Sequence, residues 1–250
     1  MARKPSSEGM QIPRLEQQIG IFRFIGDTPL LLNNKMSTAW AVAARYQGGK
    51  TKKVSVDELS FDEQYAGAFY TLPSTPQPAP HTKGLYGVPA SGIKKCLQKG
   101  IRPAGFTDNT TIGQIQKAFR VLEDEGGLCL IRHNGFDKDA RPVNIGSGTK
   151  TVPNIRYRPI FPEWEIHVRI VFNTRILSVE QLANLILYAG QYIGLCELRA
   201  EKAQGECGGF TVESKKTGTP TWATDKAWGV SISDGKFRVL KTARGRIKAA

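Results

Sequence analysis

The chain has 250 residues, of which 40% are hydrophobic and 26 are glycine, enough for one large domain or two small ones with a real core. Its 35 Lys and Arg against 22 Asp and Glu give a formal charge of +13, which points to a polyanionic partner, because basic surfaces attract phosphate and gain from counterion release. No apolar run approaches a membrane span of about 18 residues, the N-terminal MARKPSSEGMQ has no apolar stretch behind its charges, and Cys96, Cys129, Cys196 and Cys207 form no CxxC pair with histidines nearby. Neither a membrane protein, a secreted one nor a zinc protein is expected, and the cysteines read as reduced residues of an intracellular, cytoplasmic protein.

In chain order, residues 1–14 read as a lead-in. A strand is predicted over Ile19–Ile25, a turn at Gly26-Asp27-Thr28-Pro29, and a short apolar run at Leu30–Leu32. KMSTAWAVAARYQGGKTKK has weak helical character and contains Lys35 and Arg45. Four prolines between Pro73 and Pro80 cannot continue a helix or a central strand, so about 45–84 reads as a partly mobile excursion. GLYGVPASGIKKCLQKG restarts the core as a helix, with Ile93, Cys96 and Leu97 on one face. In TTIGQIQKAFRVL, Ile112, Ile115, Ala118, Phe119 and Leu122 recur at helical spacing. GLCLIRHNGFDKDARPVNIG predicts a strand, an Asn-Gly turn and a second strand.

The pattern is clearest in EIHVRIVFN. Ile166, Val168, Ile170 and Phe172 fall on one face, with His167, Arg169, Val171 and Asn173 on the other. LSVEQLANLILYAGQYIG follows as a helix, with Ser178 and Gln181 in a capping box and Val179, Leu182, Leu185, Ile186 and Ala189 as its apolar stripe. A glycine-rich loop through Gly194, Gly205, Gly208 and Gly209 leads to a strand at Phe210–Val212. From Ser214 onward nine basic residues, Lys215 to Lys248, face only Asp225 and Asp234, so about half the net charge lies there. The fold class is therefore α+β: a ferredoxin-like or RRM-like antiparallel sheet over 15–213, with a long insertion and a basic C-terminal extension at 214–250. Such a sheet is expected to leave one face free, where RRM-type modules bind single strands.

YGVPASGIKKCL resembles a segment at the first helix of the repeat-associated mysterious protein (RAMP) superfamily. Val88-Pro89-Ala90-Ser91 stands where that family has an apolar-Pro-small-Ser run, and Lys94 where it has a basic residue. The glycine-rich loop is similar to the family's loop before its last strand, and RYRPIFPEWEIHVRIVFN with the following helix resembles uncharacterised phage-encoded proteins of this type. The resemblance covers 86–98 and 156–212. It implies a ferredoxin-like unit, an RNA-coating, CRISPR-like role among similar subunits in a bacterial or archaeal host and, in some members, endoribonuclease activity from an aspartate after the first strand, for which Asp27 is the nearby candidate.

Glycines beside a sheet can bring main-chain N–H groups to phosphate, so Gly205 and Gly208, with Arg199 and Lys202, are candidate binding residues. Gly194 reads as the residue after a helix cap, and Gly208-Gly209 reads equally as a bulge before the last strand. Arg156 and Arg158, interleaved with Tyr157 and Phe161, suit a single strand. Arg169 would meet phosphate if its sheet face is open, while His167 reads as buried. Ser91, Lys94, Lys95, Lys35 and Arg45 complete the candidates, and Trp222 and Trp228 read as packing anchors. No P-loop, nucleophile elbow or carboxylate cluster is present, so no cofactor or metal is expected, and His133 or His167 would have to serve any ribonuclease. The function predicted is non-enzymatic binding of single-stranded RNA or DNA by a protein that multimerises along the strand. The alternatives are a structural or assembly protein of a phage or ribonucleoprotein particle, and a RAMP-like endoribonuclease.

Overall fold

A computed structural model describes residues 14–34, 60–71, 85–145, 152–202, 205–212, 230–233 and 236–239. Its elements run β1 (Gln17–Gly26), β2 (Leu30–Leu31), α1 (Phe61–Gly67), β3 (Gly87–Pro89), α2 (Ala90–Gly100), α3 (Asn109–Ala118), β4 (Phe119–Leu122), β5 (Leu128–His133), β6 (Asp137–Ile145), β7 (Val152–Phe161), β8 (Trp164–Asn173), α4 (Val179–Tyr192), β9 (Phe210–Val212), β10 (Val230–Ser233) and β11 (Lys236–Val239). The architecture is α+β with antiparallel sheets.

The alternation predicted for EIHVRIVFN makes β8 the central strand. Ile166, Val168, Ile170 and Phe172 are fully buried, and across the sheet Phe22 and Phe24 of β1 join them. Each such side chain removed from water contributes about 1.5–3 kcal/mol. The main sheet is ordered β3-β5-β8-β1-β9, with β4 pairing β8 beyond the end of β5. Every pair is antiparallel. Helix α2 leads from β1 toward β4 and β5, and α4 from β8 to β9, so each crossover passes one intervening strand. The two helices pack on each other where Gly100 meets Ala189.

The capping chemistry is as the sequence predicts. Ser178 Oγ accepts from the Gln181 N–H while the Gln181 side chain accepts from the Ser178 N–H. Two expectations are corrected. The helix expected to run to Leu122 ends at Ala118, and Phe119–Leu122 turns extended to pair with Arg169–Phe172. Asn134-Gly135 joins no hairpin either. It is a corner, because β5 pairs with β3 and β8 while β6 pairs with β7 in a second sheet, β2-β7-β6. Gly135 holds φ +152° there, which suits a residue without Cβ.

Within the 45–84 segment the described residues 60–71 form α1 and the turn after it. Helix α1 is closed by its own capping box from Ser60 and Glu63, and Tyr65 and Phe69 are buried with Tyr86 and Phe161, against the half-buried Phe136. The sheet face expected to lie free is largely covered. Ile21, Leu128, Leu130, His167 and Val171, all pointing away from the helices, are buried, and Tyr70 packs on Leu128 and Leu130.

Candidate functional site

The glycine-rich loop is built by backbone contacts. Gly194 follows the cap of α4 at φ +75°, and the N–H groups of Ile193 and Gly194 both donate to the Ala189 carbonyl at 3.1 and 2.9 Å. Beyond it the chain turns repeatedly. Cys196 (φ +61°) and Leu198 (φ +51°) are left-handed without being glycine, a conformation that persists only where surrounding bonds hold it. Those bonds are present. Leu195 N–H donates to Gly208 O at 2.8 Å, Glu197 N–H to Leu31 O at 3.1 Å and Cys207 N–H to Leu198 O at 3.0 Å.

The far end of the loop is sewn to the turn after β1. Gly208 N–H donates to Pro29 O at 2.8 Å, Asp27 N–H to Gly209 O at 3.0 Å, and Gly209 N–H to Thr28 Oγ1 at 2.8 Å. A Cβ on Gly208 would overlap the Leu195 carbonyl, and one on Gly205 the Leu198 carbonyl. These glycines let two backbones approach each other, and the Gly208 N–H is spent inside the protein.

The loop nevertheless walls a cleft. A space of ≈ 490 Å³ lies between α2, which contributes Gly92, Lys95, Cys96 and Lys99, and the 193–202 segment, with Pro89 at the end of β3, Asn33 and Tyr70 also lining it. A neighbouring depression of ≈ 440 Å³ shares Lys95, Lys99, Ile193 and Glu201 and adds Arg102. Glu201 pairs with Lys99 and, at 3.1 Å, with Arg199 Nε. Burial pushes its carboxyl up, but the Lys99 and Arg199 hydrogen bonds outweigh that and hold it below the usual value. Arg199 also donates to the Cys196 carbonyl at 2.5 Å. Lys95 and Lys202 make no ion pair among the described residues, so their charges stand uncompensated at the rim. Burial raises the Cys96 thiol to about 12, and it donates to the Gly194 carbonyl at 3.3 Å rather than ionising.

Of the residues expected from sequence, Lys95, Arg199 and Lys202 meet in this cleft. Lys94 is half-buried on α2 and Ser91 is exposed in its first turn, and neither lines the space. Arg169 donates to the Glu123 carbonyl and lies 3.5 Å from Asp124. Arg158 is buried on β7 against Asp139 at 3.3 Å, and Arg156 is half-buried beside it on the same strand. Gly205 and Gly208 belong to the loop but do not line the cleft. Lys35, Arg45, Trp222 and Trp228 lie outside the described residues.

Lys99 was missed, although its i+4 spacing from Lys95 on one helix was a readable signal. Glu201 was missed because its two partners lie on separate segments. Asp27 is exposed in its turn. His133 stands in an aromatic cluster 4.9 Å from the Phe161 ring, and His167 is buried with Nε2 3.4 Å from Glu165. Among the described residues no three His, Cys, Asp or Glu side chains group to hold a metal, and no helix is long and apolar enough to cross a membrane.

The chain matches no protein-family model and no curated protein. Among solved structures it is similar to Cmr6 from Pyrococcus furiosus, at 10% identity and a TM-score of 0.37, over 80% of this chain and 100% of that one.

Proposed function

We propose that this chain is a single-stranded nucleic-acid-binding protein of RAMP-like, ferredoxin-like build, acting as a binder and multimerising along the strand. Residues 15–213 form its domain, with an insertion at about 45–84, and the basic 214–250 segment extends its reach. The strand order β9-β1-β8-β5 with two helical crossovers supports the ferredoxin-like part. The net charge of +13 supports a polyanion as partner.

The observation that carries the reading is the meeting of Lys95 and Lys99 of α2 with Arg199 and Lys202 of the glycine-rich loop at one cleft. Four cations stand there against Glu197 and Glu201, and two of them, Lys95 and Lys202, make no ion pair among the described residues. The adjoining depression carries the basic lining on to Arg102, which suits a strand lying along the surface better than a compact anion. Phosphate contacts of this kind bind without reading sequence.

The test is fluorescence anisotropy of labelled RNA and DNA oligomers over a salt series. Affinity should fall steeply with salt, with a slope of about −0.7 per phosphate neutralised. Lys95→Gln and Lys202→Gln should each lower that slope by about one. Longer oligomers should take up several copies. Absence of binding to every oligomer at low salt ends the reading.

A further inference from the structure

The β6–β7 ribbon presents two different faces. On one, Phe61 packs on Tyr157 at 4.5 Å and Lys138 pairs with Asp62 at 3.1 Å, so α1 covers it. The strand register puts Asp139 opposite Arg158 and Arg141 opposite Arg156. Since residues two apart share a face, all four side chains belong to the other face. That face thus carries three guanidiniums and one carboxylate.

That carboxylate is already divided. Asp139 Oδ1 accepts from Arg141 Nε at 2.6 Å and Oδ2 from Arg158 Nη2 at 3.3 Å. Arg156 makes no ion pair among the described residues, although it stands directly across from Arg141. Like charges in that position repel unless an anion lies between them. Arg158 is buried, with its side chain only 4% exposed, and its Nε has no hydrogen-bond partner among the described residues. Buried donors are nearly always satisfied. Glu197, on the glycine-rich loop, contributes a favourable charge to Arg158, but it leaves the Nε donor unbonded.

We propose that Arg141, Arg156 and Arg158 form a binding site for a phosphate group. The guanidinium fork presents paired N–H donors that match phosphate oxygens, and a tetrahedral phosphate has enough acceptors to serve the unpaired Arg156 and the orphaned Arg158 Nε together. The bound group is either free phosphate or a phosphodiester of a bound strand. The site stands on its own geometry and does not require the cleft function proposed above.

The experiment is a titration of inorganic phosphate into the full chain at constant ionic strength, followed by thermal unfolding, for the wild type and Arg156→Gln. Arg156 has no ion-pair partner among the described residues, so its replacement should leave the fold intact. The wild type should show a saturable rise in Tm that Arg156→Gln loses. If the phosphate belongs to a strand, Arg156→Gln also weakens oligonucleotide binding, by about tenfold, and free phosphate competes with the strand. If free phosphate is the ligand, oligonucleotide affinity is the same in both proteins while the Tm response is still lost. An equal, unsaturable response in both proteins is the general effect of phosphate as a salt and overturns the site. A chain that shows the saturable response but binds no oligomer overturns the cleft function and leaves this site standing.

Discussion

Gly190 in the last turn of α4 lies against the carbonyl oxygen of Phe210 in β9, so closely that a Cβ there would overlap that oxygen. The helix and the strand that follows it are therefore seated backbone to backbone, and the stacked rings of Phe24 and Phe210, 4.6 Å apart, lie under the same seat. Gly190→Ala should lower stability by about 3 kcal/mol, because neither backbone can move without unseating its element. Gly113 in α3 has open space around it, and Gly113→Ala should raise stability by about 0.5–1 kcal/mol. Urea unfolding of the two variants decides the matter, and equal effects would remove the argument from close approach.

The reciprocal bonds of Ser178 and Gln181 close the start of α4. Ser178→Ala should cost about 1 kcal/mol, and Ser178→Asp, which keeps an acceptor at the cap, should restore most of it. The midpoint of denaturant unfolding reads both.

Burial among Tyr86, Phe136 and Phe161 holds His133 below the ordinary imidazole value. On unfolding the ring meets water and takes up a proton near pH 6.5. The unfolded chain then binds more protons than the folded one, so this contribution is fully present above about pH 6.5 and is lost as pH falls through the folded-state value. His133→Phe should flatten the fall in Tm between pH 7 and pH 5. An unchanged pH profile would show that the ring is not buried in this way.

Adjacent lysines on α2 should behave differently. Lys95 lines the cleft and Lys94 does not. Lys94→Gln should leave the salt slope of oligonucleotide binding unchanged, whereas Lys95→Gln lowers it by about one. Equal losses from both would mean that the helix attracts the strand through net charge alone.

Much of the fold was readable where side chains act within a few residues of one another. The alternation in β8, the apolar stripe and capping box of α4, and the restart of the core at Pro89 are short-range patterns set by strand and helix periods and by unbonded helix ends. The boundary of α3 was not readable, since Phe119 and Leu122 continue an apolar spacing that fits either structure. Pairing with β8, some fifty residues on, decided it.

The same division runs through the candidate sites. Composition and spacing determined that cations and glycines gather around Lys95 and Gly194–Gly209, and that Arg156 and Arg158 alternate with aromatic residues. Tertiary structure alone decided that Arg158 is buried against Asp139 while Arg156 has no ion pair among the described residues, and that the Gly208 N–H is taken by Pro29. A residue's period along the chain says which neighbours share its face, but what covers that face comes from segments far away in sequence, brought there by strand pairing and core packing.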